Sequence, residues 1–174
     1  MERHSNYIQV KSPINWDEYF MLQAMLASFR SKDPGTQVGC VLVDQNNHQI
    51  SMGYNGFVAG IDETKLPWGK DDAELVDQKY GYVVHAESNA ILHSTKSLEG
   101  ARAYVTLFPC HECAKMMASK KIKEVIYLSD KHADRDYAPV AKRILEMSGI
   151  TTRAVEISDE LVDKLHQYLK NFPR

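Results

Sequence analysis

The spacing of apolar positions changes period several times along the 174 residues. Over 15–31, "NWDEYFMLQAMLASFRS" places Phe20, Ala24 and Ala27, with Met21, Met25 and Ser28 beside them, on the inner faces of a helix. Asn15 stands where an N-cap is wanted, Glu18 follows in capping-box register, and "KDPG" ends the helix. "VGCVLV" (38–43) is a short β-branched strand, "DQNN" a turn, and "HQISMGY" (48–54) the returning strand of a hairpin. Beyond it come a helix over 85–96, a strand at "AYVTL" (103–107), a helix from Cys110 to Lys120 and a strand at "EVIYLS" (124–129). "YAPVAKRILEMSG" gives a helix closed by Gly149, "ITTRAVEI" a last strand, and 159–170 a last helix. The hairpin must be antiparallel, and the later strand–helix–strand steps are expected to be parallel. The fold class is therefore α/β, a three-layer α/β/α sandwich around a mixed five-stranded sheet.

Two stretches lack a period. Residues 1–14 are polar and read as a flexible N-terminal arm ahead of a single domain over 15–174. Residues 55–83 carry Gly56, Gly60, Pro67, Gly69 and Gly81 among many charges. Pro67–Trp68 and the Tyr and Phe residues there favour an ordered working loop over a linker.

Composition narrows the function classes. With 44% apolar and 25% charged residues, the chain makes one globular domain with a real core. A formal net charge of -2 lacks the basic excess of proteins that grip nucleic-acid polymers. A small anionic ligand remains open, since a local group of Lys and Arg suffices, and "SKKIKE" (119–124) is a solvated rim or such a group. The three cysteines, Cys40, Cys110 and Cys113, are too few and odd for a disulfide framework and suit a reducing compartment. No leader and no membrane-length apolar run is evident, so the expectation is a soluble cytoplasmic protein with no membrane partner.

The chemistry concentrates in two short segments. "LFPCHECAKMM" (107–117) puts Cys110 and Cys113 on the first turn of a helix, where both sulfurs share a face and thiolate is favoured. "HAESNA" (85–90) supplies His85 at the start of another helix. One imidazole and two thiolates suit zinc in tetrahedral geometry. Cys40 fits core packing better, and His111 and His93 are poorly placed as a fourth ligand, which leaves a position open for water. An open position marks a catalytic zinc, whereas a structural one is closed by four protein ligands. Glu87, two residues past His85, points away from that ligand and can reach water activated by the metal, shuttling protons to a substrate nitrogen. Taken singly, the cysteines also read as a structural knuckle and His85 as a packed core histidine.

The combination H-x-E … P-C-x-x-C is the signature of zinc nucleobase deaminases, so this step is identification by resemblance. Over 16–152 the chain resembles the deoxycytidylate deaminases of the cytidine deaminase superfamily, through "WDEYFM", "RSKDP", "QVGCVLV", "GYNG", "LPW", "HAESNAI", "YVTLFPCHECAK" and "IKEVIYLSDK". The resemblance implies one zinc per subunit on His85, Cys110 and Cys113, with Glu87 as catalytic proton shuttle. It implies hydrolysis of dCMP to dUMP and ammonia, supplying thymidylate synthesis. Asn55 would contact the substrate sugar or base, or serve only as a turn residue before Gly56, and Phe108 would pack beside the ring. Lys131 and His132 would face the phosphate. It further implies a homohexamer activated by dCTP and inhibited by dTTP with magnesium, with Gly56, Asn89 and His93 as regulatory contacts. Val58 stands where a proline is common, and Lys121 where a glycine usually ends the helix. The rival readings are a dCTP or deoxycytidine deaminase and a non-catalytic zinc-stabilised interaction module on the same fold.

Overall fold

Asn15 caps the first helix as its position predicts: Oδ1 accepts from the Glu18 amide at 2.8 Å, and Nδ2 donates to Glu18 Oε2 at 2.8 Å. The computed structural model describes residues 13–71 and 74–172, so residues 1–12 of the expected arm lie outside it. Helix α1 (Trp16–Ser28) buries Phe20, Met21, Ala24, Ala27 and Ser28, and leaves Met25 half-buried. Strands β1 (Gly39–Val43) and β2 (Gln49–Tyr54) form the antiparallel hairpin, Cys40 facing Gly53. Then follow β3 (Gly56–Phe57), β4 (Val83–Val84), α2 (Ala86–Leu92), β5 (Arg102–Leu107) and α3 (His111–Ser119). The chain closes with β6 (Glu124–Ser129), α4 (Tyr137–Met147), β7 (Thr151–Ala154) and α5 (Asp159–Asn171).

The main sheet has the order β2-β1-β5-β6-β7. β1 runs antiparallel to β2 and β5, while β5, β6 and β7 are mutually parallel, which is the mixed five-stranded sheet expected. Both of its faces are covered, so β1 is apolar throughout without alternation. Val41, Val43, Tyr104 and Ile126 pack against Phe20, Met21 and Ala24 of α1. On the opposite face Cys40, Leu42, Ala103, Val105 and Val125 pack against residues of α2, α3 and α4. Two glycines set how closely helices approach. A Cβ at Gly39 would lie 1.9 Å from the Ala24 carbonyl oxygen of α1, and one at Gly53 2.3 Å from that of Ala86 in α2.

Some local details depart from expectation. Helix α2 stops at Leu92, four residues short of 96, where Ser94 Oγ donates forward to the Lys96 carbonyl at 2.9 Å and offers a competing local structure. Strand β7 keeps only 151–154 of the expected run. Helix α3 ends with Lys121 itself in the left-handed region at φ 55°. The Lys121 and Ile122 amides then donate to Ala118 and Met117, the double bond of a Schellman cap made without glycine. Within the loop before α2, β3 and β4 pair as a small ribbon, and Phe57 packs tilted against Trp68 at 4.1 Å between ring centres. Among the described residues, no helix is long and apolar enough to cross a membrane.

Candidate metal and active site

Helices α2 and α3 both start with residues that forgo their usual task. His85 and Cys110 are the N-caps, in extended backbone, yet neither side chain caps its helix. The preferred caps are Ser, Thr, Asp or Asn, which accept from the first-turn amides. Here the side chains turn toward each other. Cys110 Sγ lies 3.3 Å from His85 Nδ1, and Cys113 Sγ, one helical turn on, lies 3.4 Å from the same nitrogen. All three donor atoms fall within 4.8 Å of one another. A tetrahedral zinc with ordinary bond lengths needs an N···S edge of about 3.6 Å, so only a small opening admits the ion. Donor types and spacing both fit zinc.

The electrostatics favour thiolate at the donors. A hydrogen bond with Cys113 pulls the Cys110 thiol down to about 4, and the adjoining His85 ring adds to the effect. His85 is raised to about 9, first by its bond to Cys110. Cys113 is pushed up, so the pair shares one thiolate readily and gives the second only to a metal. The positive N-terminus of α3 stabilises the thiolate form that a metal needs.

Glu87 is 4% exposed and sits against this cluster. Burial pushes its carboxyl up, opposed by the nearby His85 charge. Cys40 lies close beneath it, fully buried in the core. His111 Nε2 lies 3.1 Å from Glu112 Oε1 and its ring stacks on Tyr137, and His93 is the exposed C-cap of α2, so neither joins the three donors.

The other candidate residues occupy the surroundings. Asn55 is buried: Oδ1 accepts from the Val38 amide at 2.8 Å, while Nδ2 donates to the Thr36 carbonyl at 2.9 Å and to Asp33 at 3.3 Å. Its backbone is not left-handed, so no turn requires an asparagine there. Gly56 pairs with Val84 in the ribbon that leads directly into His85, which places Asn55 at the same end of the sheet. Phe108 stands two residues before Cys110, edge-on to Tyr127 at 4.9 Å. Its amide donates to the Ser129 carbonyl, which brings the turn carrying Lys131 and His132 beside it. Asn89 Nδ2 donates to the Tyr54 carbonyl at 2.8 Å, on the flank of α2 that faces β2.

Several residues had no signal in the sequence. Lys79 reaches Asp33 across the loop, Ser88 touches Cys113, Tyr137 lies over His111, and Lys142 sits 5.5 Å above the Phe108 ring. All are long-range contacts to which no local spacing points.

Comparison with known proteins agrees with this geometry. The profile of the cytidine and deoxycytidylate deaminase zinc-binding region matches residues 14–129. The human deoxycytidylate deaminase is 45% identical over 141 residues, covering 80% of this chain and 79% of that protein. A probable deoxycytidylate deaminase of Drosophila melanogaster is 45% identical over 146 residues, covering 80% of this chain and 72% of its own length. Among solved structures, the dCMP deaminase of cyanophage S-TIM5 in complex with dCMP and dUMP superposes with a TM-score of 0.63 at 27% identity, covering 79% of this chain and 95% of that one. With its His85, Cys110 and Cys113 donors gathered over a buried Glu87, the chain belongs to the cytidine and deoxycytidylate deaminase family.

Proposed function

We propose that this chain hydrolyses dCMP to dUMP and ammonia, with zinc held by His85, Cys110 and Cys113 and with Glu87 moving the protons. The observation that carries this reading is the Glu87 carboxyl, buried against the three donors with its proton affinity raised. His85, Cys110 and Cys113 would hold a zinc ion with a position left for water, and the ion would supply a nucleophile near neutral pH by acidifying that water. Cytosine C4 is a poor electrophile and its amino group a poor leaving group. Glu87 takes one proton from the attacking water and delivers it to N3, which makes C4 more electrophilic. It then takes the second proton and gives it to the amino nitrogen, so ammonia leaves as the C4 carbonyl forms. One dCMP and one water become one dUMP and one ammonia, and Glu87 ends as it began.

The substrate assignment draws support from similarity to proteins named deoxycytidylate deaminase over four-fifths of the chain. Both Asn55 amide hydrogens are engaged, so a substrate hydroxyl falls to the remaining lone pair of Oδ1. Phe108 flanks the base, and Lys131 and His132 serve the phosphate. Residues 15–174 act as one domain. By the same resemblance the working form is a cytoplasmic homohexamer feeding thymidylate synthesis, raised by dCTP and lowered by dTTP with magnesium. Gly56, Asn89 and His93 contact the effectors.

The test is a substrate panel. Zinc-loaded protein is given dCMP, CMP, deoxycytidine and dCTP separately, each with and without Mg-dCTP or Mg-dTTP, and uracil products are quantified. Preferred turnover of dCMP, raised by dCTP and lowered by dTTP, is expected. Preference for dCTP or deoxycytidine overturns the substrate, and no uracil product from any of them overturns the activity.

A further inference from the structure

Ser88 occupies the first turn of α2, three residues past His85 and next to Glu87. Its hydroxyl lies 3.7 Å from Cys113 Sγ, within reach of a hydrogen bond to the larger sulfur atom. Ser88 is 9% exposed and Cys113 fully buried, so water does not compete for this contact. Among the described residues, it is the one hydrogen bond that the Ser88 side chain makes. A small hydroxyl at such a position needs a reason. In the first turn of a helix, a serine that serves only the backbone would bond to a neighbouring carbonyl or amide. This one instead spans the gap between two helices and meets a metal donor.

We infer that Ser88 is a positioning residue for the metal, its hydroxyl donating to the Cys113 thiolate. The inference rests on the zinc reading above. Once Cys113 has given up its proton to bind a metal, its sulfur can only accept, so the direction of the bond is fixed. Two consequences follow. The bond holds the Cys113 side chain toward His85 and Cys110, which lowers the cost of assembling the three donors. It also draws electron density from the sulfur, which leaves the metal more electrophilic toward the water it binds. Partners of this kind around a metal site change its affinity by about 10- to 100-fold.

Cobalt reports on the bond directly, because its thiolate charge-transfer absorption depends on the electron density at sulfur. The experiment titrates wild type, Ser88→Ala and Ser88→Thr with cobalt and measures zinc affinity by competition with a chromophoric chelator. Thermal unfolding of the three metal-free proteins is recorded alongside. The expected result for Ser88→Ala is a shift of the charge-transfer band to lower energy and zinc binding weaker by about 10-fold or more, with metal-free unfolding unchanged. Ser88→Thr, which keeps the hydroxyl, restores the band. Unchanged band and affinity in Ser88→Ala overturn the role of Ser88 while leaving the zinc reading intact. Failure of wild type to take up one cobalt with a thiolate band overturns the zinc reading itself, and the inference with it.

Discussion

Lys79 Nζ lies 2.7 Å from both carboxylate oxygens of Asp33, and the two side chains are 9% and 3% exposed. The pair is therefore buried, and it joins the loop ahead of α2 to the turn after α1. Asp33 also receives the Gly35 and Thr36 amides and Nδ2 of Asn55. Burial alone would raise the Asp33 carboxyl, but Lys79 and the two amides outweigh it and hold it below the usual carboxylate range. The loop that leads to His85 is thus fastened by a charge pair, where a hydrophobic contact would have less directional control.

Removing one partner leaves the other charged and unpaired inside the protein. Lys79→Ala is expected to cost about 3–5 kcal/mol of stability, because an uncompensated buried carboxylate is far worse than no pair at all. Lys79→Met with Asp33→Asn, which removes both charges and keeps an oxygen to accept from the Gly35 and Thr36 amides, should recover much of that loss. Urea unfolding reads the stability, and limited proteolysis within 66–82 reads the release of the loop. Equal loss in the single and double variants would contradict this account.

Asp17 ties α1 to the edge strand β7. Arg153 donates to both Asp17 oxygens at 2.7 and 2.8 Å and to Glu124 at 2.8 Å, and Tyr104 adds its hydroxyl at 2.9 Å. The Arg153 bond is the chief reason that the Asp17 carboxyl titrates low. A carboxyl lowered on folding contributes stability above its unfolded value and loses it as pH falls through the lower folded value. Wild type should therefore exceed Arg153→Ala in stability at neutral pH, with the gap closing as pH drops below the ordinary carboxylate range. Chemical denaturation as a function of pH checks this, and a gap independent of pH would exclude the linkage.

The cap at Lys121 gives a prediction of opposite sign. A left-handed backbone costs an L-residue about 1–2 kcal/mol relative to glycine. Lys121→Gly should raise stability by about 1 kcal/mol, after subtracting the exposed Lys121–Glu99 ion pair at 3.1 Å. Thermal melting decides it, since a lower melting temperature would mean that the ion pair outweighs the backbone.

Gly53 links the packing of α2 to the site. An added Cβ would lie 2.4 Å from the Ala90 amide as well as 2.3 Å from the Ala86 carbonyl oxygen, so α2 must move away from β2. Gly53→Ala is expected to cost about 1–3 kcal/mol by overpacking. It should also weaken zinc binding, because His85 and Glu87 travel with that helix. Gly39→Ala, which displaces α1, should lower stability and spare zinc affinity. Equal zinc affinity in the two variants would break the connection between Gly53 and the donors.

Much of this was legible in the chain, for reasons that vary by element. The β-branched run at 38–43 and the capped helix from Asn15 carry their own period and cap, so both appear where spacing places them. That His85, Cys110 and Cys113 would gather was legible because helix starts and a two-residue gap between cysteines constrain them locally. The β3–β4 ribbon was not, since two-residue strands have no period to read. Nor was the Asp33–Lys79 pair, whose partners are 46 residues apart. Lys121 was visible only as a residue out of place, and the structure gives it a left-handed backbone. Asn55 was expected to face the substrate, and most of its amide is spent on Val38, Thr36 and Asp33.

The central claim is that Glu87 moves protons beside a zinc that it does not hold. The most direct measurement compares wild type with Glu87→Gln for zinc content and for conversion of dCMP to dUMP. Gln keeps the shape of the side chain and removes its acid–base function, so the variant should retain one zinc and melt like wild type. Its turnover should fall by about 100-fold or more. Retained turnover would contradict the mechanism, and loss of zinc would show Glu87 to be part of the metal's own shell.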